Sequence, residues 1–147
     1  MKGALALLAL VAAPAAAEEL TPFDEAMKTA SYAYPFARCA GFYDAIIARS
    51  SEAEFGAEGW AMLNTTSEEM ILAAALMAGN DDAALDMAAG LAAAYRSAED
   101  WQAQYSARFA ENYEASGEII AGDALLEADL GFCAELRLLA ADLGNAE

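Results

Sequence analysis

Cys39 and Cys133 carry the most definite chemistry in the chain. They are its two cysteines and lie 94 positions apart. They form no C-x-x-C, so a redox pair is disfavoured, and the chain has no histidine with which they could complete a metal site. One intramolecular disulfide is the expectation. A closed loop of that length would stabilise the fold by about 4 to 5 kcal/mol through lost chain entropy.

The second distinctive set is aromatic. Trp101, Tyr105, Phe109 and Tyr113 recur every four residues, which places them on one face of a helix. Aromatic residues fill large core volumes and also dominate binding surfaces. The tips of Trp101, Tyr105 and Tyr113 need polar partners, which a groove rim supplies more readily than a dry core. The face is therefore a candidate contact surface for a peptide, an apolar ligand or a partner helix, with Arg96 and Arg108 nearby to meet a carboxylate.

Catalysis has little to work with. The absence of histidine removes Ser/His and Cys/His nucleophiles, the usual zinc hydrolase ligand sets and di-iron Glu-x-x-His pairs. After Lys2 the chain has one lysine, Lys28, and nothing around it marks a serine-lysine pair. Carboxylate-dependent hydrolysis stays open in principle, but 24 acidic residues make any chosen pair uninformative. Asn80, Asp81, Asp82 and Asp86 resemble a calcium loop in composition alone, lacking its alternation and central glycine. Met62, Met70, Met77 and Met87 are too dispersed for a copper site and read as core filler. No catalytic residue, metal or cofactor is expected.

The balance of charge bounds the partners. Seven basic residues against 24 acidic ones give a net charge of −17. Such a surface is repelled by nucleic-acid phosphates and anionic lipid and attracts cationic partners.

The N-terminus has the three parts of an export signal: Lys2, an apolar stretch from Ala4 to Ala13, and the small residues Ala15, Ala16 and Ala17 before Glu18. Cleavage after Ala17 would leave one domain, 18–147, in an oxidising periplasmic or extracellular compartment, where a disulfide persists. The apolar runs at 4–13 and 70–78 are both too short to span a bilayer, so no membrane span is expected after cleavage.

The elements that must position these residues read as helices throughout, with no sustained period-two alternation. Thr21, Pro22 and Asp24 suggest a helix start, and Pro35 should kink or split that helix into segments of 22–33 and 35–49. Residues 50–59 read as a loop. Thr66 with Glu69 forms a capping box for a short central helix ending at Gly79, and Asn80 can cap a long helix reaching about Ser116. Gly117 and Gly122 break the chain before a leucine-rich final helix. The fold class is all-α: a small antiparallel bundle of about four main helices, the first kinked at Pro35, closed by a disulfide between first and last. The functional expectation is an exported acidic helical module acting through protein contacts. A carrier of a small apolar ligand or peptide is the first alternative and a carboxylate hydrolase the second.

Overall fold

The computed structural model describes residues 20–144, so the expected export signal at residues 1–17 lies outside the described residues. A single-turn helix α1 (Phe23–Ala26) is followed by four long helices, α2 (Tyr34–Arg49), α3 (Glu52–Asp81), α4 (Met87–Ser116) and α5 (Ala124–Gly144). No strand occurs among the described residues. The helical bundle with its Cys39 to Cys133 disulfide is as expected; those two Cα atoms lie 5.4 Å apart and the bond joins α2 to α5.

The central element is α2. Eleven of its 16 residues are buried, including the whole run from Pro35 to Tyr43, and it packs chiefly against α4 and α3. Pro35 stands at the first turn, where a missing N–H costs nothing. It therefore starts the helix instead of kinking it. The segment before it is a helix for one turn only. Pro22 precedes that turn without a side-chain cap, and the chain then runs irregularly from 27 to 33. What fixes its far end is Asp81, at the end of α3, whose carboxylate oxygens accept from the backbone N–H groups of Tyr32 (2.9 Å) and Ala33 (3.1 Å).

The third helix corrects the expected loop at 50–59. Glu54 accepts from the backbone N–H of Ser51 (2.7 Å) and from its hydroxyl (2.9 Å), which caps a helix start. Gly56, at φ 71°, then bends the path in a conformation that a side chain would disfavour. The kink of the bundle is here, not at Pro35. Thr66 is consequently buried in the interior of α3 and caps nothing, and Gly79 lies inside the helix, which continues to Asp81. Asn80 belongs to this last turn. The start of α4 is instead capped by Asp86, whose carboxylate accepts from Ala89 N–H (2.8 Å).

Helix α4 stops where expected, at Gly117 in the left-handed region with φ 81°. The turn into α5 is held from inside by Asn112, whose amide donates to the carbonyls of Glu118 (3.0 Å) and Ala121 (3.1 Å). Among the described residues no helix is long and apolar enough to cross a membrane.

Candidate functional site

The expected aromatic face does not share one environment. Tyr105 and Phe109 have no exposure at all, Trp101 is half-buried, and Tyr113 is 55% exposed. Between Trp101 and Tyr113 the stripe drifts from one rim of the bundle through its core and out again, because the 3.6-residue helix turn and a strict four-residue spacing do not match. The inner two meet Phe42 of α2 edge-on, with ring centroids 4.9 Å from Tyr105 and 5.6 Å from Phe109. Such arrangements suit the ring quadrupoles.

Tyr105 is buried because its hydroxyl is fully used. It accepts from Arg38 Nε (2.7 Å) and donates to Asp129 Oδ2 (2.5 Å), which also accepts from Arg38 Nη2 (2.6 Å). The guanidinium continues outward through Nη1 to the Tyr34 hydroxyl (2.8 Å) and the Thr21 carbonyl (2.7 Å). Its flat face lies 4.0 Å from the centroid of Phe23, which stacks on Phe132 at 4.2 Å. Arg38 thus ties together α1, α2, α4 and α5. Burial pushes the Asp129 carboxyl upward against the pull of the Tyr105 hydroxyl and Arg38. Burial and that carboxylate both push the Tyr105 hydroxyl up, so it stays a donor. Burial alone would lower Arg38, but the Tyr105, Tyr34 and Asp129 oxygens around it more than reverse this and hold it charged.

Sequence reasoning missed this group. Arg38 stands beside Cys39 in a strongly apolar helix, which is a faint signal, but its partners Tyr105 and Asp129 lie 67 and 91 positions away. Nothing local announces them.

Arg108, expected near a ligand carboxylate, instead donates through Nε to Asp123 Oδ2 (2.6 Å). The other oxygen of Asp123 accepts from the N–H groups of Leu125 (3.0 Å) and Leu126 (3.2 Å), so the pair fastens the start of α5 to α4. Arg38, Tyr105 and Asp129 meet in the interior and point at one another. Every buried side-chain nitrogen or oxygen among the described residues has a hydrogen-bond partner, and no cluster of three or more His, Cys, Asp or Glu among them converges as a metal site would require. The arrangement holds a shape.

Surface chemistry is found where the stripe emerges. One groove of about 410 Å³ is formed where α2 meets α3 and α4 ends, and is lined by Phe55, Tyr113, Arg49 and Glu118. Another, of about 440 Å³, lies between the 21–34 segment and α4 and includes Trp101. Tyr105 and Phe109 line neither. Compared with known proteins, the chain matches no family model, no curated protein and no solved structure.

Proposed function

We propose that this protein is an exported, acidic helical module that acts by contacting another protein, one carrying a basic surface. The observation that supports this best is the pairing of Phe55, 45% exposed, with Tyr113, 55% exposed, in a single groove. Large aromatic rings make effective anchors, since they offer a large contact area and have few rotatable bonds to immobilise when a partner covers them. The net charge of −17 supplies long-range attraction to a basic partner and affects its association rate more than its final affinity. An oxidising location outside the cytoplasm agrees with the buried Cys39 to Cys133 bond.

The test uses the exported protein in its native cells, with a photo-crosslinking residue at position 113 or, as a control, at the exposed Ala88 position of α4. A discrete adduct from 113 and none from 88 is expected. Tyr113→Ala should weaken capture of the same protein at least tenfold, consistent with an anchor worth more than 1.4 kcal/mol, while its urea midpoint stays unchanged. No adduct, or equal adducts from both positions, overturns the reading.

A further inference from the structure

The groove between the 21–34 segment and α4 has a composition that selects its ligand by charge. Among its described lining residues Glu25 is the one charged group, and none is a base. Thr21, Thr29 and Gln104 supply neutral polar atoms, and Tyr34 and Trp101 supply rings. Those two rings meet at 88° with centroids 5.5 Å apart, so they form a corner of two aromatic walls. A carboxylate beside a right-angled aromatic corner is the chemistry that recognises an organic cation, since ring faces and carboxylate both attract positive charge. An anion would find no donor of positive charge there.

The walls are also fixed. The 21–34 segment is irregular from 27 to 33, yet it is held at one end by Arg38, through the Thr21 carbonyl and the Phe23 ring, and at the other by the Asp81 carboxylate. A groove of about 440 Å³ with anchored walls is in the range of ligand sites. Arg38 lies 5.2 Å from the Trp101 centroid, but it is paired with Asp129, so its charge is locally compensated. The segment itself carries Asp24 and Glu25 and one base, Lys28.

We infer that this groove binds an alkylammonium group, of the kind a lysine side chain presents, seated against Trp101 and Tyr34 with its charge directed to Glu25. For the source of that group, a partner protein, the inference rests on the functional reading above; for the chemistry it does not.

The experiment titrates the isotope-labelled exported protein with an end-blocked glycine peptide carrying one lysine, and follows the Trp101 indole N–H, distinguished from that of Trp60 by a Trp60→Phe variant. A saturable shift with a Kd on the order of millimolar is expected for a single cation on an exposed aromatic site. The same peptide with norleucine in place of lysine should give none. Glu25→Gln should weaken binding about fivefold or more, and Asp142→Asn, which removes an exposed acid on α5, should leave it unchanged. A linear shift, an equal response to norleucine, or equal effects of the two substitutions would overturn the site and reduce it to diffuse attraction. If lysine binds here while position 113 captures nothing, the site stands and the protein-contact reading falls; the reverse result retires this site alone.

Discussion

Residues 87–98 and 101–116 belong to one continuous helix but hold their neighbours in different ways. In the first half Gly90, Ala94 and Ala98 are the buried positions, and Gly90 meets α3 at Ala75. A Cβ on Gly90 would lie 3.0 Å from the Ala75 carbonyl oxygen, so backbone approaches backbone. In the second half Tyr105 and Phe109 fill the space toward α2 with rings, and a buried ion pair with a tyrosine completes the contact. The change occurs opposite Gly41 of α2, where a Cβ would stand 2.5 Å from both the Ala98 carbonyl oxygen and Trp101 Cβ. Small residues set how close the helices come; large ones decide what is joined once they are there. At Gly90 the close approach is tolerant of a small change, because only the Ala75 carbonyl oxygen, at 3.0 Å, would have to yield and the next atom stands at 3.7 Å. The polar junction is not, because each member is buried with partners that cannot turn to water.

That difference yields the largest expected effect. Arg38→Met leaves Asp129 buried beside Tyr105 without its cation and frees the Thr21 carbonyl and Phe23, and should destabilise by about 3 to 5 kcal/mol. Adding Asp129→Leu should recover a substantial part, since an apolar replacement of a whole buried pair is often tolerated. Urea midpoints of the two variants check this. If the double variant is no more stable than the single one, the junction is not held by charge pairing.

How much of this was legible follows the same division. The all-helical class, the division of the first segment beside Pro35 and the break at Gly117 are each announced by residues close in sequence, and the disulfide by there being two cysteines to pair; each is present. A local signal misled at the start of α3. Thr66 with Glu69 has capping-box spacing before an apolar run, but Thr66 is buried inside the helix, and the box that forms is Ser51 with Glu54, in the stretch that reads as a loop. The stripe of Trp101, Tyr105, Phe109 and Tyr113 was visible as a face but not as core or surface, because that depends on where Phe42, Arg38 and Asp129 arrive from distant helices. Arg38 itself had no local signature.

The next effect tests the junction between the two halves of α4. Alanine is the better helix former than glycine by roughly 0.5 to 1 kcal/mol, so an open helical glycine gains from the exchange. Gly90→Ala needs the Ala75 carbonyl to yield by a few tenths of an ångström and should be near neutral, within about 0.5 kcal/mol of the parent. Gly41→Ala places its methyl against two backbone atoms and a Cβ, none of which can rotate away. It should destabilise by about 1 to 3 kcal/mol as overpacking does. Thermal melts of the two variants compare them directly, and equal losses would show that both halves are packed to the same tolerance.

The smallest effect concerns acid and distinguishes the end of the aromatic half from the region beside its start. Burial would raise the Asp123 carboxyl, but Arg108 and the N–H groups of Leu126 and Leu125 outweigh it and hold it below its ordinary 3.8. A depressed folded value means that its contribution is fully present above the unfolded value and is lost as pH falls through 3.8 toward the folded one. Asp44, whose carboxyl burial raises against the Ser67 hydroxyl at 2.5 Å, has the opposite sign: its protonated form favours the fold, an advantage lost as pH rises through the folded value. Acidification from about pH 5 to 3 should therefore loosen the start of α5 while leaving the contact of α2 with α3 at Asp44 intact. Because Arg108 is 36% exposed, the Asp123 part should stay below about 1 kcal/mol. Amide exchange at Leu125 and Leu126 should accelerate in acid, relative to the intrinsic rate, in the parent protein. In Asp123→Asn it should already be fast at pH 5 and change little on further acidification. Exchange that accelerates equally in both proteins would place the acid sensitivity elsewhere, in the general titration of the 24 acidic side chains.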